Sequence, residues 1–273
     1  MRVGVKAGQW GWTFEDLRAS WQIAEECGFH HISCFDHVSA SPQPLASWDA
    51  PSLLVAMAGA TTSIGLEVQV LNASLRHPFL VAGQLAVAQA ASGGRLQVGL
   101  GAGSHHLARF DHAALGIDFP AHRERIERLA GCCWVLPALW RGEVVDDPAL
   151  GLARASLGPT GIDPPSLFVG GSSEAVMRIP ARLADGWYAP AEPERFAELA
   201  TRLDEVCGEV GRDHVEKAVP IALREVGLDG AEALVSKLSD QGAGAVTFIL
   251  HEERDPQLIR QLAKALAPGG WLK

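Results

Sequence analysis

The 273-residue sequence has little of several features that mark particular classes of protein. It has no run of ~20 uninterrupted apolar residues, which a membrane-spanning helix requires. Its Lys and Arg residues are scattered, and the formal net charge is −9, so neither a nucleic-acid partner nor an anionic membrane is expected. The first residues, MRVGVKAGQW, lack the apolar core of a secretory signal peptide.

Cysteine is scarce and shows no pattern. The five cysteines form no CxxC pair, and an odd number that includes one adjacent pair is a poor disulfide framework. We therefore expect reduced thiols in a cytoplasmic protein. His105, His106 and His112 raise the question of a metal, but no HExxH, HxH or His/Cys spacing supports one. A GxSxG nucleophile elbow is also missing, and Asp111 beside His112 is interpreted as a solvated loop pair.

The sequence does contain a regular alternation of apolar, strand-like runs and helical patterns. Eight units in about 270 residues match a (β/α)8 TIM barrel, and near-continuous apolar runs are typical of parallel strands. A doubly wound open sheet would show the same alternation, but eight repeats without a domain break favour the barrel. The predicted strands are residues 3–5, 31–35, 66–71, 96–101, 166–171, 186–190, 218–226 and 245–250.

No linker divides the chain, so residues 1–273 are predicted to form a single barrel domain. Residues 141–165 are rich in Gly, Pro and Asp and are predicted to make an irregular excursion over the surface. The first helix is predicted to begin at Thr13, with Asp16 as its capping partner, and to stop at Gly28.

Small, polar and titratable residues follow the predicted strands, at the end where parallel barrels place their active sites. Asp36 and His37 follow the second strand, where they either cap a loop or lie at the mouth of a site. The Gly-rich turn at 170–173 enters a helix, so it is a candidate phosphate site, with an ordinary N-cap serine as the alternative. The turn at 99–104 is not a dinucleotide fingerprint. Counted from Gly101, the sixth position of G-x-G-x-x-G is occupied by His106 instead of glycine.

Four stretches, in order, resemble the bacterial luciferase-like family of flavin and deazaflavin oxidoreductases. They are AEECGFHHISCFDH, RHPFLVAGQLAVAQAASGGRLQVGLGAG, DHAALGIDF and PPSLFVGGSSEAVMRIPARLADGWYAP, and the resemblance covers roughly residues 3–190. It implies a (β/α)8 barrel, usually dimeric, that binds FMN or the deazaflavin coenzyme F420. Members of the family are monooxygenases fed with reduced FMN, or hydride-transfer enzymes that use F420.

The compact length and the stretch FDHVSASPQP…WDAPSLLVAMAGATT look more like the F420-dependent branch. We therefore interpret the chain as an F420-dependent oxidoreductase that transfers a hydride to or from a small organic substrate. The alternatives are an FMN-dependent monooxygenase, a non-catalytic flavin-binding protein, and a metal-dependent barrel hydrolase or isomerase. A homodimer without nucleic-acid or membrane partners is expected.

The resemblance also implies roles for individual residues. His37 is expected to act as acid/base or to position the substrate, and Asp36 to orient His37 or to bond the loop backbone. A non-prolyl cis peptide is expected near Gln69–Val70. The expected cofactor-binding residues are Gln69, Val70, Asn72, Ser74, Gly101, Ala102, Gly103, Ser104, Gly170, Gly171, Ser172 and Ser173.

Three tryptophans, Trp10, Trp12 and Trp48, are expected to wall the substrate pocket, with core or dimer packing as the alternative. The chain departs from the family pattern in loops that shape this pocket. Relatives often have Trp after the glycines of the fourth strand and Glu just before ALG, where this chain has Ser104 and Asp111. The region between residues 140 and 164 is also shorter than usual.

Overall fold

The computed structural model describes residues 1–39, 45–103, 106–250 and 254–273. Eight of its strands are parallel and close into a barrel, in the order β1-β10-β9-β8-β7-β4-β3-β2, which confirms the predicted fold. The other two, β5 and β6, pair as a separate antiparallel hairpin. The strands are β1 Arg2–Ala7, β2 His31–Cys34, β3 Gly65–Asn72, β4 Leu96–Gly101, β5 Val145–Asp147, β6 Leu152–Ala155, β7 Ser166–Gly170, β8 Gly186–Tyr188, β9 Glu216–Ala222 and β10 Ala245–Leu250.

Helices connect the strands and cover the outside of the barrel. Helix α1 begins as predicted, because the Thr13 hydroxyl accepts a hydrogen bond from the backbone N–H of Asp16 at 3.1 Å. No helix in the described ranges is both long enough and apolar enough to cross a membrane. The helices are α1 Phe14–Glu26, α2 Ala50–Ala60, α3 Pro78–Ser92, α4 Ala108–Leu115, α5 His122–Trp140, α6 Glu174–Met177, α7 Pro180–Leu183, α8 Phe196–Glu209, α9 Leu223–Asp240 and α10 Gln257–Leu266.

The structure corrects several of the predicted elements. Strand β1 continues to Ala7, so Lys6 belongs to the strand rather than to the loop after it. Strand β9 ends at Ala222 instead of residue 226, because Leu223 already begins α9. The segment 141–165, predicted to be irregular, contains the β5–β6 hairpin.

The interior of the barrel is partly polar, and Glu67 lies at its centre. This buried carboxylate accepts hydrogen bonds from Arg2 Nη1 at 3.2 Å, from the Tyr188 hydroxyl at 2.8 Å and from Gln69 Nε2 at 2.7 Å. Burial lowers the pKa of the neighbouring His31 to about 4, so its ring is neutral near pH 7. A buried charge is tolerated only when it is paired and hydrogen-bonded, and these partners meet that condition for Glu67.

Gly4 on β1 leaves the room that the His31 ring occupies. A Cβ at position 4 would overlap that ring, so we expect Gly4→Ala to lower the free energy of unfolding by about 1–3 kcal/mol. Gly59→Ala is the matched control, because a Cβ there meets no atom within 4 Å. Since Gly59 is inside α2, alanine should stabilise the protein by about 0.5–1 kcal/mol. Urea unfolding measures both, and an unchanged stability of Gly4→Ala would contradict the expectation.

Candidate active site

A cavity of about 700 Å³ opens at the carboxyl ends of the barrel strands. This is the end of a parallel barrel at which enzymes of this architecture carry their active sites. Most of the residues predicted from the sequence meet here. Those that line the cavity are Trp10, Asp36, His37, Gln69, Val70, Asn72, Gly101, Ala102, Gly103, Gly170 and Gly171.

Other predicted residues do not line the cavity. Ser173 caps α6, its hydroxyl accepting from Val176 N–H at 3.4 Å, which is the ordinary N-cap alternative; Ser172 is exposed beside it. Ser74 is buried behind Asn72, whose side-chain oxygen accepts the Ser74 N–H at 2.9 Å. Ser104 lies outside the described residues.

Two of the three tryptophans expected to wall the pocket pack elsewhere. Trp12 is buried in the hydrophobic core, and the indole N–H of Trp48 donates to the Trp12 carbonyl at 3.0 Å. Only Trp10 of the three is at the cavity, where its ring centroid lies 5.0 Å from that of Phe35 and 5.3 Å from that of His37. Core packing, the alternative for each tryptophan, therefore describes Trp12 and Trp48.

An irregularity in β3 forms the floor of the cavity. The register of β3 against β4 shifts between Val68 and Leu71, and the Gln69–Val70 peptide bond is cis, as the family resemblance implied. The Val70 side chain lies against the backbone of Gly101 and Gly170, where added Cβ atoms would crowd it. These glycines therefore make room for Val70 and leave their backbone facing the cavity.

Asp36 joins the ends of β2 and β3. Its buried Oδ2 accepts from the Asn72 N–H at 3.0 Å and from Arg76 Nη1 at 2.6 Å, and Arg76 also donates to Asp49 at 2.6 Å. Burial alone lowers the pKa of Arg76, but the two carboxylates outweigh it and raise that pKa, so the guanidinium stays charged. The Asp36 carboxylate therefore bonds to the backbone at the end of β3, and the roles expected for it stay predictions.

His37 is paired with Asp111, for which the sequence predicts a place in a solvated loop pair. His37 Nδ1 lies 2.7 Å from Asp111 Oδ2, and Asp111 Oδ1 accepts the Ser39 N–H at 2.9 Å. Asp111 is 0% exposed, and the supposed partner His112 instead contacts the Asp118 carbonyl at 2.7 Å, so that interpretation is wrong. One signal in the sequence points to Asp111 as a site residue. Relatives often have glutamate where this chain has Asp111, so the position carries an acid in both.

Two arginines of α5 hold the turns above β3 and β4. Arg125 Nε donates to the Ala102 carbonyl at 3.0 Å, and Arg128 Nε donates to the Ala73 carbonyl at 2.9 Å. Neither arginine stands out in the sequence, because the charge alternation HRERIERL is typical of a solvated helix face. Their contacts fix backbone that borders the cavity.

Lys6 brings a positive charge to the cavity. Its side chain projects from β1 into the barrel, is 6% exposed, and its Nζ lies 3.4 Å from the Gln69 carbonyl oxygen. Burial lowers the pKa of Lys6 to about 8, against smaller opposing effects of Cys34 and Glu67. The ammonium is therefore still the main form at pH 7.

The cavity has the features that a flat ring with polar edges needs. Four buried side-chain atoms of lining residues have no hydrogen-bond partner among the described residues: Trp10 Nε1, Asp36 Oδ1, Gln69 Oε1 and Asn72 Nδ2. A Cβ on Gly103 would press against the Asn72 amide, so this turn is open only because it is glycine. Unsatisfied buried polar atoms are costly, which makes a ligand with complementary donors and acceptors favourable here.

Comparison with known proteins identifies the class of this barrel. The sequence pattern of the luciferase-like monooxygenases matches residues 2–267, and the chain belongs to this family. An F420-dependent hydroxymycolic acid dehydrogenase of Mycobacterium tuberculosis is 30% identical over 270 residues, 96% of this chain and 72% of that protein. An F420-dependent glucose-6-phosphate dehydrogenase of Beutenbergia cavernae is 30% identical over 193 residues, 68% of this chain. The match spans 56% of the length of that dehydrogenase, and 64% of a second one from Microbacterium testaceum.

Solved structures share the architecture at low sequence identity. An F420-dependent secondary alcohol dehydrogenase in complex with an F420–acetone adduct has a TM-score of 0.80 at 17% identity, covering 97% of this chain and 98% of its own. The F420-dependent tetrahydromethanopterin reductase of Methanopyrus kandleri has a TM-score of 0.79 at 14% identity, covering 98% and 99%. A type II Baeyer–Villiger monooxygenase of Pseudomonas putida in complex with FMN has a TM-score of 0.71 at 16% identity, covering 98% of each chain. These likenesses show a common fold.

Removal of the buried Lys6 charge should stabilise the cofactor-free protein. The pKa of Lys6 in the folded protein, about 8, lies below its ordinary value of 10.5. The buried ammonium therefore destabilises the folded protein fully below pH 8, and this destabilisation disappears as the pH rises towards 10.5. Since a pKa change of one corresponds to ~1.4 kcal/mol, we expect Lys6→Met to raise the free energy of unfolding at pH 7 by about 2–3 kcal/mol. Urea unfolding at neutral and alkaline pH should show this advantage shrinking between pH 8 and 10.5. A variant less stable than wild type at pH 7 would contradict the prediction.

Proposed function

We propose that the chain is an F420-dependent oxidoreductase that moves a hydride between F420 and a small organic substrate. The observation that carries the proposal is the His37–Asp111 pair, joined at 2.7 Å on the wall of a cavity floored by Val70 and glycine backbone. Relatives 30% identical to the chain are named F420-dependent dehydrogenases, which supports F420 over FMN. The homodimer expected from the family resemblance stays a prediction.

The residues that would hold the cofactor are those with open backbone or unpartnered polar atoms in the cavity. Val70 supplies an apolar surface for a ring, Gln69 and Asn72 supply polar atoms, and the glycine turns after β4 and β7 supply backbone groups. When bound, F420 supplies a hydride acceptor or donor.

A proton must move together with the hydride, and the proposal assigns this proton transfer to His37. Oxidation of an alcohol releases a hydride from carbon and a proton from oxygen, so a base has to accept that proton. Asp111 accepts from His37 Nδ1, which fixes the tautomer in which Nε2 is the basic nitrogen. His37 takes the hydroxyl proton at Nε2, and the buried carboxylate stabilises the resulting imidazolium. In the opposite direction the imidazolium returns the proton to the carbonyl oxygen.

The wall beside His37 is apolar and aromatic. Trp10 and Phe35 both pack within 6 Å of the His37 ring, centroid to centroid, and Leu45 and Ala108 add aliphatic surface to the cavity. A substrate carbon that exchanges a hydride next to His37 is therefore flanked by hydrocarbon, which excludes water from the reacting atoms. The organic substrate is proposed to place its apolar part against this wall.

A titration with F420 and with FMN, each oxidised and reduced, tests the choice of cofactor. We expect F420 to bind more tightly than FMN in both redox states, followed by absorbance or fluorescence of the ring. Tighter binding of reduced FMN would instead favour a monooxygenase. Failure of both cofactors to bind would overturn the proposed function.

Variants of the His37–Asp111 pair test the proton transfer, with an alcohol substrate found by screening for F420 reduction. His37→Ala should lower kcat by about 10²–10⁴-fold, because it removes the acid/base. Asp111→Asn should also lower kcat while leaving the dissociation constant of F420 unchanged. Asp111→Glu keeps the carboxylate and should recover much of that loss.

Near-normal turnover of a folded His37→Ala variant would eliminate His37 as the acid/base. If Asp111→Asn weakened cofactor binding and left kcat intact, Asp111 would be a structural residue of the cavity rather than a partner in proton transfer.

A further inference from the structure

The charge of Lys6 is not required to neutralise the polar network inside the barrel. Arg2, Gly4 and Lys6 project inward from alternate positions of β1, as strand geometry requires. Arg2 already pairs with the buried Glu67 at 3.2 Å, and Tyr188 adds a hydrogen bond to the same carboxylate at 2.8 Å. A second cation is therefore not required to neutralise Glu67.

The hydrogen bonding of Lys6 is also incomplete. An ammonium has three donors, yet in the described part of the chain Lys6 makes a single hydrogen bond, the 3.4 Å contact to the Gln69 carbonyl. Its neighbours in the sheet are Ser33 of β2 and Ile249 of β10, neither of which carries a charge. The side chain lines the cavity, so its remaining donors are available to a ligand on the cavity floor.

The surroundings of Lys6 disfavour its charged form, because the side chain is buried. The titratable groups that act on Lys6 are Cys34 and Glu67, and burial raises the pKa of the Cys34 thiol, which therefore stays neutral. Asp36 and His37 line the same cavity, but each is held by a partner of its own, Arg76 and Asp111 respectively. A methionine would fill the space of Lys6 without the cost of burying an ammonium.

We propose that Lys6 makes the cavity bind the reduced form of the cofactor more tightly than the oxidised form. This inference rests on the proposed function and concerns the same cavity. A hydride carries two electrons and one proton, so its transfer to the ring adds one negative charge until a further proton is taken from solvent. A buried ammonium that lines the cavity stabilises that added charge, and charge close to a cofactor ring is a main means by which a protein adjusts its reactivity.

The test compares dissociation constants for oxidised and reduced F420, measured anaerobically by ring absorbance or fluorescence. Lys6→Met and Lys6→Gln remove the charge; Lys217→Met is the matched control, because Lys217 is also 6% exposed but pairs with Asp204 at 2.7 Å instead of lining the cavity. We expect the Lys6 variants to lose about tenfold in affinity for reduced F420 and to bind oxidised F420 nearly as wild type does. A tenfold rise in the dissociation constant of reduced F420 relative to that of oxidised F420 lowers the potential of the bound two-electron couple by about 30 mV. Lys217→Met should leave the ratio unchanged.

Normal binding of oxidised F420 shows in the same experiment that the variant cavity is folded. Equal weakening of both redox forms, or no change in either, would overturn the inference about Lys6 while leaving the proposed function intact. If the wild-type protein binds neither form, the proposed function itself fails, so the two failures are distinguishable.

Discussion

The buried carboxylate of Glu67 is the interaction around which the inside of the barrel is organised. A charge in that position is stable only with partners on several sides, and they come from β1, β3 and β8: Arg2, Gln69 and Tyr188. Gly4 is small so that His31 can fit beside this group. The amino-terminal half of the barrel is thus filled by the polar network around Glu67, and the space left at the carboxyl ends of the strands becomes the cavity.

The cavity combines two unlike surfaces. One is a floor of Val70 and glycine backbone, held from outside by hydrogen bonds from α5 to the turn carbonyls. The other is a wall of aromatic side chains that contains the His37–Asp111 pair. A flat ring suits the first surface, and an organic molecule that exchanges a proton suits the second. Hydride transfer requires both ligands to be in contact, and the two surfaces meet in one space.

Much of this arrangement could be predicted from the sequence because it follows from local pattern. Eight apolar runs identified the barrel, and the strand ends identified Asp36, His37 and the two glycine turns as parts of one site. The family resemblance located the cis peptide at Gln69–Val70. These features depend on residues close together in the chain or on a motif with fixed spacing.

The features that were missed depend on contacts between distant parts of the chain. Asp111 is buried because α4 turns it towards a residue 74 positions earlier, and a short helix of weak pattern gives no sign of that. The sequence predicts that the first strand ends before Lys6, because a lysine within an otherwise apolar strand resembles the end of the strand. Trp12 and Trp48 carry the same indole group as Trp10, and only tertiary packing decides which of them reaches the cavity.

The His37–Asp111 bond is also a joint between two parts of the rim that are held separately. Gln9 binds the loop after β1 to the loop that follows β2, accepting from the Phe35 N–H and donating to the Trp48 carbonyl at 2.7 Å. Asp111 belongs to the other part, on α4 beyond β4. Any movement that separates these parts stretches the bond and takes the carboxylate away from the imidazole. Asp111 also accepts the Ser39 N–H, so such a movement would break two bonds across the rim rather than one.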